Sequence, residues 1–267
     1  MTYDNMARNY NSMSDYERSL EYNKKVFNIW SNNYGVEDKR MSSYYRNLGS
    51  AYRNAGRKDS AVVYTMKALE LVLKRADSNH RAMRTYYGAA YLAHLSAENF
   101  DQALDFAKKN LAVRELHYAN NPRVLKQGYS SMSSAYNGLK NYQKGLEYQL
   151  KAYDLGVEGY GENHPFVGLD AANLAYCYYL VGEYKKALAH QEEALAIFAN
   201  NYKPTHFYIV RGTIRMGVFH AALSDNNKAR QYSEQAHRLI EQIEPENRRD
   251  LPELLYALDK DIAKNKQ

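Results

Sequence analysis

The histidines and the single cysteine are the side chains of this chain that could serve as bases, nucleophiles or metal ligands. Cys177 stands between two tyrosines, and no motif of a cysteine nucleophile surrounds it. His190 and His237 have no second histidine or cysteine at the spacing of a metal site, and the pattern H-E-x-x-H does not occur. The 14 glycines are scattered and form no phosphate-binding loop. We therefore predict no catalytic residue, no metal site and no cofactor, and we expect that the protein is not an enzyme.

Structural roles account for the other conspicuous side chains. We expect His94 and His220 to fill the core, because they take the place of tyrosines in a regular series described below. His164 belongs to a turn, and Cys177 is expected to be a small packing residue. Trp30 ends a helix, where we expect it to pack at the boundary between two structural units.

Arginines and tyrosines are the side chains that favour binding over catalysis. A guanidinium pairs with a carboxylate in a fixed fork geometry, so Arg8, Arg46 and Arg53 would meet acidic groups of a ligand. Aromatic faces offer contact area at a small entropic cost, so an apolar or aromatic anchor of the ligand would lie on Tyr176 and Tyr179. Both interpretations require a fold that brings these residues to one surface.

Equivalent residues recur every 42 positions, and this period indicates how the chain is organised. One series holds the tyrosines Tyr3, Tyr45, Tyr87 and Tyr129. A second holds the rings of Tyr10, Tyr52, His94, Tyr136, Tyr178 and His220. Two more hold mostly small residues: Ser19, Ala61, Ala103, Gly145, Ala187 and Ala229, then Val26, Ala68, Asn110, Ala152, Ala194 and Ala236. A fixed period of this length is typical of stacked helix pairs, so we predict an all-α repeat array.

The clearest unit covers residues 167–200. Apolar residues at steps of three, four and seven put one face of each helix toward its partner. Small residues at Ala175 and Ala187 allow the two helix axes to approach closely. Gly182 ends the first helix and tolerates the positive φ that a tight turn between helices needs.

This pattern resembles the tetratricopeptide repeat, whose leucine, glycine, tyrosine and alanine signature recurs at 47–52, Gly56 and Ala61. The usual unit has about 34 residues. Longer units resemble the kinesin-light-chain type, to whose turn and first helix Gly161–Pro165 and Ala172–Ala175 are similar. The resemblance implies an α-solenoid wound as a right-handed superhelix, in which the first helix of each pair lines the concave surface.

Six such units can be phased before a terminal helix. We predict one array over residues 1–267, with repeats at approximately 1–36, 37–79, 80–121, 122–164, 165–204 and 205–246. A capping helix at 249–265 is predicted from the apolar stripe Leu251, Leu254, Leu255, Leu258 and Ile262. No matching cap precedes the first unit, so we expect that the chain was cut from a longer protein or that another domain covers this end.

Two residues interrupt the series. Tyr91 stands where a small residue is expected, so we expect the third unit to shift by one residue. Asn110 replaces a small residue, so we expect its repeat to pack less tightly.

The exposed positions of the first helices lie off these series and form the predicted groove. They are Asp4, Asn5, Arg8, Asn11, Arg46, Asn47, Ser50, Arg53, Asn54, Thr85, Leu92, Leu95, Gln127, Ser130, Ser131, Ser134, Asn137, Ala172, Asn173, Tyr176, Tyr179, Arg211, Ile214, Arg215, Val218 and Ala221. Peptide binding is predicted for Asn5, Arg8, Arg46, Asn47, Ser50, Arg53, Asn54, Ser134, Asn137, Asn173, Tyr176, Tyr179, Arg211 and Arg215. Asn5, Asn47 and Asn173 are equivalent, and their amides can pair with a peptide main chain.

The predicted function is an interaction scaffold that binds a peptide or a segment of a partner protein in the concave groove. One alternative is a regulatory sensor whose superhelix pitch changes when a peptide binds. The other is the recruitment arm of a larger protein with a protease, kinase or ATPase domain. The residues leave these alternatives open.

Charge and hydropathy limit the other partners. The net charge is +6, but lysines and arginines alternate with acidic residues along the helices, so we expect no nucleic-acid partner. The absence of a run of about 18 apolar residues predicts no membrane insertion and favours a cytoplasmic location. Exposed aromatic rings at an uncapped end predict a possible homo-oligomer.

Overall fold

The structure is a computed structural model that describes residues 2–264, except for the side chain of Glu246. Residue 265 of the predicted capping helix and residue 1 of the predicted first repeat lie outside the described residues. Within them, helices account for all regular secondary structure. They are α1 (Tyr3–Ser12), α2 (Tyr16–Tyr34), α3 (Met41–Asn54), α4 (Lys58–Leu73), α5 (Met83–Ser96), α6 (Phe100–Tyr118), α7 (Pro122–Gly138), α8 (Tyr142–Tyr160), α9 (Pro165–Leu180), α10 (Tyr184–Asn201), α11 (Phe207–Ala222), α12 (Asn226–Glu241), a short 3-10 turn (Pro245–Asn247) and α13 (Leu251–Lys264).

The helices belong to two compact units, of which the first ends at Asn141 and the second starts at Tyr142. In unit 1 the helices pack as antiparallel neighbours in chain order from α1 to α7. In unit 2 they do so from α8 to α12, and α13 packs on both α11 and α12. Each unit is therefore a stack of helix pairs, and the predicted all-α solenoid of helix-turn-helix repeats with a terminal helix is confirmed. The boundaries of the individual repeats stay a prediction.

In three helix pairs of unit 1 and two of unit 2, a ring of the first helix stacks on a ring of the second helix. In unit 1 the ring centroids of Tyr10 and Tyr22 lie 5.5 Å apart, and those of Tyr52 and Tyr64 lie 5.0 Å apart. His94 takes part in an equivalent stack, since the centroid of its imidazole ring lies 5.4 Å from that of Phe106. In unit 2 the same stacks join Tyr178 to His190 and His220 to Tyr232, at 5.4 and 5.5 Å. The partner always follows its ring by 12 residues, so the aromatic series has a second series beside it.

The predicted core roles are confirmed for the small-residue series and for several single residues. Ala61, Ala103, Ala187 and Ala229 have no exposed surface, which is what close approach of two helix axes requires. His94, His220 and Cys177 are buried. Trp30 stacks on Tyr44 of the next helix pair with 4.7 Å between centroids, so it packs at the predicted boundary. His164 lies in the turn before α9 and its Nδ1 accepts the backbone N–H of Phe166.

The turn inside each helix pair contains one left-handed residue, again every 42 positions. Gly56 and Gly182 have φ of 72° and 85° and take this conformation without strain. The equivalent residues Ser14, Glu98, Lys140 and Ser224 have φ between 59° and 62° although they carry a Cβ. Side chains disfavour this region by about 1 kcal/mol or more, so the turn geometry is imposed by the packing of the two helices.

Two expectations about irregular residues are wrong. The third unit does not shift, because α5 and α6 start at Met83 and Phe100, 42 residues after α3 and α4 start at Met41 and Lys58. Tyr91 is accommodated in register, with only 6% of its surface exposed. Asn110 does not loosen the packing of this repeat either, because its side chain is only 2% exposed.

The terminal helix covers the end of unit 2. Leu251, Leu255, Leu258 and Ile262 are buried in one apolar cluster with residues of α11 and α12. Leu254 was predicted to belong to this stripe but is 36% exposed, because the stripe is narrower than the sequence suggested. No helix among residues 2–264 is both long and apolar enough to cross a membrane.

Candidate functional site

The first helices of unit 1 form a groove that consists of two adjoining cavities. The first, of about 350 Å³, is lined by Asp4, Ala7, Arg8, Asn11, Ser19, Asn23, Arg46, Asn47, Ser50, Ala51 and Asn54. The second, which we call the arginine pocket, has about 530 Å³ and is lined by Arg46, Ser50, Arg84, Thr85, Gly88, Ala89, Tyr91, Leu92, Asn110, Arg114, Gln127, Ser130, Ser131 and Ser134. Arg46 and Ser50 line both cavities, so the two cavities lie next to each other. We call the whole surface the first-helix groove.

Amide side chains hold the arginines of α3 in place. Arg46 donates from Nη2 to Asn47 Oδ1 at 3.1 Å, and its guanidinium lies 5.6 Å from the centre of the Tyr86 ring. Arg53 donates from Nη2 to Asn54 Oδ1 at 3.0 Å. Burial lowers the pKa of Arg53 from its usual value, since the charged form loses water. No carboxylate forms a salt bridge with either guanidinium among the described residues, so both retain donors for a ligand.

A buried network forms the floor of the arginine pocket. Asn110 donates from Nδ2 to the carbonyl oxygen of Arg84 at 2.5 Å and accepts from Arg114 Nε at 2.6 Å. Arg114 is only 5% exposed and also donates to the carbonyl oxygen of Val124 at 2.6 Å and to Gln127 Oε1 at 2.9 Å. The asparagine that interrupts the small-residue series therefore joins α5, α6 and α7.

Gly88 on α5 makes room for this network. A Cβ added to Gly88 would lie 3.3 Å from Asn110 Nδ2, closer than nine in ten real Cβ contacts, so the asparagine would have to move by a few tenths of an ångström. Tyr91, one turn further along α5, fills the wall of the same pocket opposite Ser131 and Ser134. Burial raises the pKa of the Tyr91 phenol, so its hydroxyl group stays protonated at neutral pH.

Unit 2 presents an aromatic surface on its first helices. Tyr176 is 41% exposed and stacks on Tyr179 with 6.2 Å between centroids, and Tyr179 stacks in turn on Phe219 at 5.2 Å. Arg215 lies over the Tyr176 ring at 5.2 Å and donates to the carbonyl oxygen of Ala172 at 3.0 Å. Burial and the charge of Arg211 lower the pKa of Arg215 to about 10. Tyr176 is thus held rigidly while its outer face stays in water.

The sequence and the fold together establish the family. The model of the tetratricopeptide repeat matches residues 1–74 and 127–200, which is more than half of the chain. The chain belongs to the tetratricopeptide-repeat family. No curated protein matches it in sequence.

Solved structures of tetratricopeptide-repeat proteins are similar to this chain in fold. A kinesin-light-chain-type protein of P. anserina with nearly identical TPR-like repeats is 17% identical, with a TM-score of 0.64 over 75% of this chain and 95% of that chain. A signal-transduction ATPase with a tetratricopeptide-repeat sensor from Pyrococcus horikoshii is 21% identical, with a TM-score of 0.70 over 98% of this chain and 38% of that chain. A Rap protein complexed with competence and sporulation factor is 14% identical, with a TM-score of 0.65 over 84% of this chain and 63% of that chain.

The tetratricopeptide phasing places most of the predicted residues of unit 1 in the first-helix groove. Of the residues predicted to bind peptide, the groove is lined by Arg8, Arg46, Asn47, Ser50, Asn54 and Ser134. Asn5 and Asn137 do not line either cavity, and Asn5 is exposed on α1. Arg53 does not line either cavity, but it is hydrogen-bonded to Asn54, which does. The Nδ2 of Asn54 donates in turn to Asn11 Oδ1 at 2.8 Å. In unit 2, Asn173 is exposed and Arg211 is half-buried.

Two of the predicted groove positions in unit 2 are wrong. Ile214 is 2% exposed and belongs to the apolar cluster under α13. The terminal helix covers this side chain, whereas the prediction left it open. Ala172 is 7% exposed, because the side chains of the following first helix, Tyr208 and Ile209, pack against its cluster. The apolar part of the predicted unit 2 surface is therefore limited to the two tyrosines and to half-buried Val218 and Ala221.

Sequence reasoning missed Arg84 and Arg114. Arg84 is half-buried on a first helix next to Thr85, which was predicted to face the groove, and Arg114 lies on a second helix. The sequence did contain one signal: Asn110 replaces a small residue of the 42-residue series, and Gly88 on the preceding helix leaves space for this larger polar side chain.

Outside the groove, one polar cluster has residues of the kind found in reactive sites but not their arrangement. Ser233 donates to Asp259, and His237 Nε2 lies 2.8 Å from the other oxygen of that carboxylate. A serine nucleophile must contact the histidine, whereas here the aspartate lies between them and joins α12 to α13. Among the described residues, no three histidine, cysteine or acidic side chains are placed to hold a metal ion.

Proposed function

We propose that this interaction scaffold binds an acidic, extended segment of a partner protein in the first-helix groove of unit 1. Tetratricopeptide repeats are protein-protein interaction modules, and the observation that supports the finer proposal is the composition of the arginine pocket. Arg46, Arg84 and Arg114 line it, and no aspartate or glutamate does. Guanidinium groups without a protein carboxylate attract carboxylates from outside and orient them with two parallel hydrogen bonds.

The groove also supplies groups for the main chain of such a segment. Asn11, Asn47 and Asn54 line the amino-terminal cavity, and an amide both donates and accepts. A segment held in this way gains affinity from its backbone and specificity from its acidic side chains. A Rap protein of the same fold was crystallised with competence and sporulation factor, which supports a ligand-binding role for the fold.

Tyr176 of unit 2 offers a second contact surface. Its ring is fixed between Tyr179 and Arg215 and loses little entropy when a ligand covers it. We include it in the proposal as the place for an aromatic or apolar side chain of a partner.

A binding measurement tests the proposal. The probe is a fluorescein-labelled peptide in which glutamate alternates with glycine, and its glutamine version controls for charge. Replacing Arg46 and Arg53 together by alanine removes charged hydrogen bonds worth roughly 1.5 to 3 kcal/mol each, so the dissociation constant of the glutamate peptide should rise at least about tenfold.

The matched control replaces Arg18 and Arg81 by alanine, because both are exposed and neither lines the groove. It removes the same total charge, so it corrects for non-specific attraction. Equal weakening by the two double variants, or equal binding of the glutamate and glutamine peptides, would refute the acidic-segment proposal.

A further inference from the structure

The arginine pocket concentrates more positive charge than a carboxylate would need. Three guanidinium groups line it from α3, α5 and α6. Burying a cation is costly unless it is paired, and the usual partner is a carboxylate. Arg114 is nearly fully buried, but its three hydrogen-bond acceptors are a side-chain amide, a main-chain carbonyl and a second amide, all neutral. Its charge is solvated by dipoles and is not compensated within the described part of the chain.

Arg84 has a donor that nothing in the fold uses. Its Nε atom is buried and has no hydrogen-bond partner among the described residues. The guanidinium lies 5.5 Å from the centre of the Tyr118 ring, which orients the group without using its N–H donors. The charge of Arg84 also acts on Arg114, whose pKa is lowered to about 10 first by burial and then by this neighbour. Two like charges are therefore held close together, and a bound anion would offset their repulsion.

The number of free donors favours an anion with three oxygens. An arginine has five N–H groups. Arg114 uses three of these donors in the floor of the pocket, Arg46 uses one on Asn47, and none of those of Arg84 forms a hydrogen bond in the described structure. A carboxylate carries one charge and two oxygens, whereas a phosphoryl group carries nearly two charges at neutral pH and three acceptor oxygens.

We propose that the arginine pocket binds a phosphoryl group on a phosphorylated serine or threonine of the partner segment. The inference rests on the proposed function, because the phosphoryl group belongs to the segment that lies in the first-helix groove. Arg46 and Arg84 bind the phosphoryl oxygens from α3 and α5. Arg114 acts mainly by position, since its hydrogen bonds fix α6 and α7 around the pocket while its charge attracts the dianion. The scaffold would then bind its partner in response to phosphorylation.

Inorganic phosphate is the first probe, because it needs no knowledge of the partner sequence. The Nε–H signals of the arginines of the full chain are followed by NMR while phosphate is added. Acetate and chloride at the same ionic strength are the controls. We expect a saturable shift of the Arg84 and Arg46 signals that is larger with phosphate than with acetate, and no shift of the exposed Arg18 outside the groove. Equal shifts with acetate and phosphate, or no saturable shift of Arg84, would overturn the inference.

Three peptides separate this inference from the proposed function. They share the alternating glutamate and glycine sequence and differ at one central residue, which is serine, glutamate or phosphoserine. We expect the phosphoserine peptide to bind about tenfold more tightly than the glutamate peptide, because charge-assisted hydrogen bonds to a dianion are stronger and more numerous. Failure of all three peptides to bind would refute the proposed function. Binding of all three with equal affinity would refute only the phosphoryl inference.

Two variants test the residues. Arg84→Gln should weaken the phosphoserine peptide more than the glutamate peptide, because the dianion loses more charged hydrogen bonds, and should therefore remove most of the tenfold preference. Ser134→Asp places a carboxylate in the pocket at an exposed position, where the present hydroxyl donates to the Ser130 carbonyl oxygen and interacts with Tyr91. It should abolish the phosphate shift without loss of helicity, and Arg18→Gln, at an exposed position outside the groove, should change neither result. A preference for phosphoserine that survives both pocket variants would contradict the assignment.

Discussion

Asn110 is the one polar residue in a 42-residue series of mostly alanines, and we predict that its replacement by alanine destabilises the protein. Asn110→Ala removes the hydrogen bond to the Arg84 carbonyl oxygen, worth about 1 kcal/mol, and the hydrogen bond from Arg114 Nε, worth about 1.5 to 3 kcal/mol because its donor is charged. Alanine regains at most about 0.7 kcal/mol of helix propensity. We therefore expect unit 1 to lose roughly 2 to 3 kcal/mol of stability.

Urea unfolding followed by the fluorescence of Trp30 measures this loss. Trp30 is the only tryptophan of the chain and lies in unit 1, stacked on Tyr44, so its signal reports the unit that contains the network. The control is Asn28→Ala on α2, where the side chain is exposed and the change should be neutral or slightly stabilising. A double-mutant cycle of Asn110→Ala with Arg114→Met should give a coupling energy of about 1 to 3 kcal/mol. An unchanged or raised urea midpoint for Asn110→Ala would refute the network as a source of stability.

Three further predictions concern the turns, the terminal helix and the buried histidine. Gly182→Ala should cost about 1 kcal/mol of stability in urea unfolding followed by circular dichroism, because this residue has φ of 85°. Ser224→Gly relieves an equivalent strained position and should not destabilise the protein. Equal losses of stability for the two variants would show that the turns are not under strain. Leu258→Ala, at 1% exposure, should cost about 2 to 4 kcal/mol and Leu254→Ala, at 36%, less than about 1, and similar unfolding midpoints for the two would contradict the packing of α13. Burial lowers the pKa of His94 below its usual 6.5, so the unfolded chain binds more protons and stability should fall as the pH drops below about 6.5. His94→Phe should reduce this pH dependence when urea-unfolding midpoints at neutral and mildly acidic pH are compared. An unchanged pH dependence would show that His94 does not contribute to it.

The regular part of the fold was predictable because helix pairs impose the same steric demands on every repeat. The alanines at 61, 103 and 187 are buried where two helix axes come close, and the rings at 52 and 178 stack between two helices. Each of these contacts requires one type of residue, which therefore recurs at a fixed spacing in the sequence. The terminal helix followed from its apolar stripe. These features depend on neighbours in the same or the adjacent repeat, which the period makes visible.

The arginine pocket was not predictable to the same degree. Asn110 looked like a packing defect, because its partners Arg84 and Arg114 are known only once α5, α6 and α7 are placed together. The burial of Ile214 likewise depends on where the terminal helix lies. The strained turns at Glu98 and Lys140 carry no glycine to mark them. In each case a contact between elements decides the role of a residue, and the residue type alone does not indicate it.

The central claim is that a partner segment lies on the first helices of unit 1. Photo-crosslinking tests it most directly, with the alternating glutamate and glycine peptide carrying a benzophenone group and the crosslinked residues identified by mass spectrometry. We expect crosslinks within residues 46–54 of α3, 84–92 of α5 and 127–134 of α7, which contain the residues that line the groove. Crosslinks concentrated on the second helices α4 and α6, at residues 58–73 and 100–118 other than the pocket residues Asn110 and Arg114, would contradict it.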